Sequence, residues 1–240
     1  MSDFLARAMA RAGTLPALEA QAAIRAGRVS LNGRTVKQPL TSLRTGDVVR
    51  LDGGAVSLQT QTLAVAFHKP SGCITGHDDP EGRPTVFDLL LKTLPDELRR
   101  YGWHAVGRLD VDTTGLLLFT NDENLVAHAT RPETKLPKRY LARVQGRATP
   151  EKLAQLRTPH GGKPVGARVR AENDVELIIA EGAFHQAKRM LGAVGLPVLT
   201  LHREAIGLLE LDLPRGASRP LGDAEIERKL GYPPRVFRPV

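Results

Sequence analysis

The sequence predicts an α+β protein in two parts. A small N-terminal domain of helices and hairpins covers residues 1–54, and a larger domain over 63–232 carries a mostly antiparallel or mixed sheet flanked by helices. Three observations carry this expectation. Helical and strand-like periods alternate irregularly with hairpin signals between them, the pattern of an α+β chain. Gly53–Thr62, GGAVSLQTQT, is small and polar with no helical period, which predicts a flexible linker over 55–62. Finally, the apolar run LLLF at 116–119 is bounded by turn residues, as a buried strand is.

Along the chain, Phe4, Leu5, Ala8, Met9 and Ala12 recur at helical spacing and Gly13 ends that helix; Leu18, Ala22, Ala23 and Ile24 make a second that stops at Gly27. Val29 and Leu31 alternate into Asn32-Gly33, a strong hairpin signal, and a further strand follows Gly46. Leu63, Val65 and Phe67 start the second domain as a strand that Pro70 terminates, placing Lys69 at its exit. Thr85 is the expected cap of helix VFDLLLKTL, and Asn121 or Asp122 that of ENLVAHAT. A basic loop then enters a strand at Tyr140, Glu151–Leu156 is a short helix, and two strands lead to FHQAKRMLGAVG. In that helix Phe184, Ala187, Met190, Leu191 and Val194 form the apolar stripe, with Gly195 at its C-terminal end. Strands over 197–212, a helix DAEIERKL and a basic tail over 233–240 complete the chain.

The formal net charge is +8 and the pI about 10.0. That balance favours a polyanionic partner, nucleic acid before membrane, because no amphipathic basic helix or lipidation signal is present. The first 60 residues share the bias, with eight Lys/Arg against four acids. The one cysteine, Cys73, excludes an internal disulfide framework and a cysteine-rich zinc site, and reads as a small apolar residue in a reducing compartment. Met1–Asp3 leads directly into a helical pattern without a signal peptide, and no apolar stretch approaches the roughly 18 residues of a bilayer span. These observations predict a soluble cytoplasmic protein, expected to be a monomer.

The segment richest in chemistry is Gly107–Asp122, GRLDVDTTGLLLFTND. Its glycines bracket a loop holding Arg108, Asp110 and Asp112 beside the LLLF strand, and functional groups concentrate on loops held by such scaffolds. Alternatives fall away. His68, His77, His104, His128, His160, His185 and His202 show no metal-ligand spacing, and there is no Walker loop, GxGxxG after a strand or Gly-x-Ser-x-Gly elbow. No metal and no cofactor is expected. A nucleophilic carboxylate needs a cation to keep it ionised, and Lys188 in FHQAKRM is the candidate. From the residues alone, Asp110 as a turn-capping side chain stands ahead of the catalytic reading.

GRLDVDTTGLLLFTND resembles the signature of the RsuA/RluB/RluE/RluF family of pseudouridine synthases, and HKPSG at 68–72, KRY at 138–140, EGAFHQAKRMLGAVG at 181–195 and LHREAIG at 201–207 agree with it. The resemblance spans essentially the whole chain. IRAGRVSLNG is similar to the helix-to-hairpin core of the αL RNA-binding module first described in a ribosomal small-subunit protein, over roughly residues 3–54. Where that module usually has a basic entry to its second helix, this chain has Leu15-Pro16-Ala17-Leu18-Glu19.

The resemblance implies a ribosomal RNA pseudouridine synthase, or, with catalysis lost, an RNA-binding assembly factor. The partner is ribosomal RNA or an assembly intermediate; the spelling HQAKRM…AVG…LHRE is most similar to the branch acting on small-subunit (16S) RNA, with a large-subunit (23S) uridine as the alternative. It implies Asp110 as the catalytic nucleophile, Tyr140 as the residue stacking on the flipped base, and Lys188 as the basic partner of Asp110, where many relatives have arginine. Arg108 would fill the gap left by the extruded base. Lys69, Arg189 and the module's Arg25, Arg28 and Arg34 are the further expected RNA contacts. Asp112 is expected to bond local backbone near Thr113, and His185 and Gln186 to be structural or RNA-contacting.

Overall fold

The computed structural model describes residues 4–44, 46–134 and 136–237. Met1–Asp3 and the last three residues of the basic tail therefore lie outside the described residues.

The N-terminal part begins with α1 (Leu5–Arg11) and α2 (Ala17–Arg25). Gly13 and Gly27, just past each helix, take φ of +70° and +74°, the left-handed stop that a Cβ would disfavour. β1 (Val29–Leu31), β2 (Arg34–Val36), β3 (Val49–Leu51) and β4 (Gly54–Ala55) form a sheet in the order β2-β1-β3-β4. Asn32 and Gly33 both have positive φ, +52° and +79°, which gives the β1–β2 hairpin its tight turn. Leu5, Met9, Ile24, Val29 and Val49 are buried together as the core of this part.

The segment expected to be a flexible linker is ordered by its own pairing. Ala55 belongs to β4, Leu58 is buried in the N-terminal core, and β5 (Thr60–Gln61) pairs antiparallel with β15 (Val236–Phe237) in the supposed basic tail. Polar side chains do not prevent a strand when the backbone finds a partner edge, and here Thr60 pairs with Phe237, 177 residues away in sequence, counting from 60 to 237.

The second part runs β6 (Ala64–Lys69), α3 (Val86–Thr93), α4 (Asp96–Arg99), β7 (His104–Val106), β8 (Thr114–Thr120), α5 (Glu123–Thr130), β9 (Lys138–Val144), α6 (Pro150–Ala154), β10 (Gly166–Ala171), β11 (Asp174–Ile179), α7 (Gln186–Ala193), β12 (Val198–Ile206), β13 (Leu209–Glu210), β14 (Ser218–Leu221) and α8 (Asp223–Leu230). Its sheet has the main order β10-β11-β9-β12-β8-β6-β14, with β7 on β8 and β13 on β12. Of these pairings only β12 with β8 is parallel, so the sheet is mixed but mostly antiparallel.

β8 shows why its sequence is a continuous apolar run. Leu117 and Phe119 enter a core beneath α3 and α7, whereas Leu116 and Leu118 enter a second core with α5 and α8. A strand covered on both faces has no polar side to alternate with. Thr85 caps α3 through a reciprocal pair with Asp88, and Asp122 caps α5. Asn121, the other candidate for that cap, instead receives Leu63 N and donates to Gln61 O and Arg11 O, tying the two parts together. Arg7 to Glu123 at 3.0 Å and Gly102 N to Ala10 O at 2.8 Å complete that junction.

Candidate active site

The loop between β7 and β8 is built from below. The Lys69 side chain is fully buried, and its ammonium donates to the carbonyls of Pro70, Val111 and Thr113 at 3.0, 3.3 and 3.0 Å. Gly72 N reaches Val111 O, and Thr75 Oγ1 both donates to Leu109 O and accepts from Leu109 N. Leu109 is buried in the core, so the backbone is fixed on both sides of Asp110. Lys69 corrects the sequence expectation of an RNA contact. The proline that ends β6 turns the chain under the loop, and the lysine is consumed as a buried donor to otherwise orphaned carbonyls. Burial pulls its pKa below the ordinary lysine value, opposed by Cys73, Asp112 and Asp110.

One row across the sheet extends this support. Lys69 on β6 is in register with Gly115 on β8, Gly115 with Arg203 on β12, and Arg203 with Tyr140 on β9. Gly115 has φ +114°, and a Cβ there would lie 2.3 Å from the Arg203 carbonyl oxygen, so the close approach of β12 requires glycine. Arg203, 3% exposed, donates through Nε to Leu116 O at 2.7 Å and through its Nη1 to the Tyr140 hydroxyl at 3.4 Å. Its remaining Nη2 is buried without a protein partner among the described residues. Arg203 escaped the sequence reading, although it lies inside the LHREAIG match; a buried arginine in a strand has no sequence signal of its own.

On the rim of this row, the Asp110 carboxylate has each oxygen engaged by a different group. His185 Nε2 is 3.2 Å from Oδ1 and Lys188 Nζ is 3.3 Å from Oδ2. Lys188 lies closer still to Asp112, at 2.7 and 2.9 Å to its two oxygens. Asp112 is thus held mainly by an ion pair with Lys188, beyond the local backbone bonding expected of it. The hydrogen bond from Lys188 holds the Asp112 carboxyl below its ordinary range, against the partial burial that would raise it. Burial pulls Lys188 down, but hydrogen bonds and charge from Asp112 and Asp110 more than offset this and leave its pKa raised. Lys188 is therefore a persistent cation shared by two carboxylates.

α7 delivers this cation. Its face of Ala187, Met190 and Leu191 is buried, which leaves Lys188 toward the loop and Arg189 exposed. The helix starts at Gln186, two residues later than the apolar stripe predicted. Phe184 is 74% exposed and stacks on the His185 ring, with centroids 3.7 Å apart, while His185 takes a left-handed φ of +51°. That turn swings Phe184 out of the stripe and points His185 at Asp110. The strained backbone of a non-glycine residue here, costing of order 1 kcal/mol, sits where a functional constraint is expected. Gln186 is structural: it accepts from Ala183 N and donates to Glu181.

The remaining expected contacts divide. Arg108, Arg189 and Arg34 are exposed, with no protein partner for their guanidinium groups among the described residues. Arg25 donates to Gln21, and Arg28 is committed to a bidentate pair with Asp52. Among the described residues no group of three or more His, Cys, Asp or Glu side chains could hold a metal ion, and no helix is long and apolar enough to cross a membrane.

Comparison with known proteins agrees with this architecture. Residues 64–193 match the RNA pseudouridylate synthase family and residues 5–49 the S4 domain. The chain is 36% identical over 233 residues to the ribosomal large subunit pseudouridine synthase B of Vibrio cholerae, covering 90% of this chain and 70% of that protein. It is 37% identical over 212 residues to the ribosomal small subunit pseudouridine synthase A of Salmonella typhimurium, covering 85% and 89%. A solved pseudouridylate synthase superimposes with a TM-score of 0.63 at 32% identity, over 95% of this chain and 99% of that one. An S4 domain ahead of an RNA pseudouridylate synthase domain is the architecture of an RNA-modifying isomerase. The chain belongs to the pseudouridine synthase family, in the group of the RsuA and RluB enzymes.

Proposed function

We propose that the chain isomerises a uridine of ribosomal RNA, in the small subunit, to pseudouridine, with Asp110 as the nucleophile. The observation that carries this reading is the Asp110 carboxylate suspended between His185 and Lys188 on a loop that Lys69 and Thr75 hold rigid. Relatives named for either ribosomal subunit share about equal identity with the chain, 36% and 37%; the small-subunit assignment rests on the spelling of the 185–204 segment.

In the reaction the bond from the sugar's C1′ to uracil N1 breaks, the base turns, a bond from C1′ to C5 forms, C5 loses its proton while N1 gains one, and any bond that Asp110 made to the substrate breaks again. Asp110 supplies the electron pair that assists detachment, by adding to the sugar or the ring or by taking a proton. Lys188 faces that carboxylate across 3.3 Å and holds it in place. Tyr140, with its hydroxyl held by Arg203, offers a ring for the turned base and an oxygen for the departing proton. Arg108 fills the stack the uridine leaves, and that insertion offsets an unstacking cost of a few kcal/mol. Residues 1–54 act as the RNA-binding domain, with Arg25 and Arg34 toward phosphate and Arg189 adding to the basic rim, and 63–232 as the catalytic domain.

Mapping pseudouridines in ribosomal RNA from cells with and without the gene tests the reading. One small-subunit site is expected to disappear, and to stay absent when Asp110→Asn replaces the wild type. A missing site in the large subunit would overturn the target, and an unchanged map or an active Asp110→Asn would overturn the mechanism.

A further inference from the structure

A cavity of about 510 Å³ lies beside Arg108, bounded by His77, Phe87, His104, Gly107 and Arg131. Its size is that of a small-molecule site. One wall is an aromatic stack: the exposed His77 ring lies on Phe87 at 3.9 Å with the planes only 13° apart. Phe87 is itself fixed edge-on against Phe119 of β8, 5.4 Å away, so His77 is a platform anchored to the core. Arg108 and Arg131 are exposed, with guanidinium groups free of protein partners among the described residues. The one acid of the lining, Glu123, is already paired with Arg7 at 3.0 Å, which leaves the cavity cationic. Thr75, also in the wall, is doubly bonded to Leu109, next to Asp110.

A flat aromatic platform with two uncommitted guanidinium groups fits a nucleotide, the base stacking and the phosphate pairing with arginine. We propose that this cavity is a second nucleotide subsite, taking a nucleotide that flanks the target uridine, with its base on His77 and its phosphate on Arg131. The inference rests on the RNA reading above. Arg108 lines this subsite and lies two residues before Asp110 in sequence, and Thr75 in the same wall bonds Leu109 next to it, so a nucleotide here is gripped beside the loop that carries the carboxylate. The subsite also gives the enzyme a contact with sequence context beyond uridine itself.

The test is a cycle between protein and RNA. Ribosomal RNA fragments carrying the mapped uridine are made with an abasic ribose at each of the neighbouring positions in turn. Conversion is timed and binding measured by fluorescence anisotropy. With the wild-type chain, one abasic position is expected to lower kcat/KM and affinity roughly tenfold, the scale of one lost stacking contact. His77→Ala should lose about as much on intact RNA and nothing further on that abasic RNA. Arg131→Ala should lower the slope of log K against log salt by about 1. Equal losses for His77→Ala on intact and abasic RNA, or no sensitive position, would overturn the subsite. So would a cavity saturated by free adenosine or uridine monophosphate without any abasic effect. The wild-type arm needs no variant to fold. Continued uridine conversion would leave the function standing while the subsite fell, and if no uridine were converted, anisotropy would still decide the subsite.

Discussion

Replacing Lys69 by methionine separates a buried support from an RNA contact. Methionine keeps most of the stem's volume but carries no donor, so the carbonyls of Pro70, Val111 and Thr113 lose their ammonium partner in a fully buried position. Hydrogen bonds from a charged group contribute about 1.5–3 kcal/mol each, but the variant also escapes the cost of burying a cation. The net loss is therefore about 2–4 kcal/mol, well short of the sum. For a chain of this size each kcal/mol moves the melting midpoint by about 2–4 °C, so a fall of roughly 5–15 °C is expected by calorimetry. The loop carrying Asp110 shifts with its support, and single-turnover isomerisation at saturating RNA should slow by about tenfold or more. An exposed control, Lys92→Met, should move neither. If Lys69 were instead a phosphate contact, Lys69→Met would leave the midpoint in place and lower the salt slope of RNA binding by about 1. That outcome would refute the buried-support reasoning.

Other consequences are as direct. Lys188→Ala should slow isomerisation by about 100-fold through loss of the cation facing Asp110, whereas Lys188→Arg, which keeps the charge, should recover most of it; rapid-quench assays on saturating RNA distinguish the two. Gly115→Ala places a Cβ 2.3 Å from the backbone of Arg203 at φ +114°, and urea denaturation should show a loss of more than about 3 kcal/mol or no folding at all. Burial, with Arg203 adding to it, pushes the Lys138 ammonium down to about 8, below its unfolded value of 10.5. Above pH 8 the native chain gives up this proton before the unfolded chain does, so stability rises with pH until the unfolded lysine also titrates. The wild type should gain about 2–3 kcal/mol relative to Lys138→Met across that window, and a constant difference would contradict the burial.

What the sequence revealed, and what it hid, divides along a physical line. Backbone punctuation was readable: Gly13, Gly27 and Asn32-Gly33 take the positive φ expected of them, and Thr85 caps its helix. The α+β class and the apolar β8 strand were readable because local period and burial agree. The fate of individual cations was not. Lys69 and Arg189 look alike in sequence, yet one is buried beneath a loop and the other exposed, because that outcome depends on which distant carbonyls need a donor. Periodicity likewise placed Phe184 in the α7 stripe; the left-handed turn at His185 is a tertiary decision that no helical period records. The pairing of β5 with β15 was hidden for the same reason, since each is only two residues long, too short to show a strand's alternation.

The segments that matched the family signature look unrelated along the chain, and the sheet supplies their connection. HKPSG contributes Lys69, GRLDVDTTG contributes Gly115, LHREAIG contributes Arg203 and KRY contributes Tyr140, and these four are neighbours in a single row across β6, β8, β12 and β9. The remaining match, EGAFHQAKRM, follows β11 and precedes β12, so α7 can hang Lys188 and His185 over the end of that row. Each residue type is then set by its place. A lysine stands where loop carbonyls need a donor, and a glycine where β12 approaches β8. An arginine stands where a strand carbonyl and a phenol both need a donor, and a tyrosine stands on β9 between β11 and β12, its hydroxyl on that arginine. A change at Lys69, Gly115 or Arg203 would reach Asp110 mainly through the backbone these residues hold, and such variants should lose activity together with loop order even though none of the three side chains hydrogen-bonds to the nucleophile.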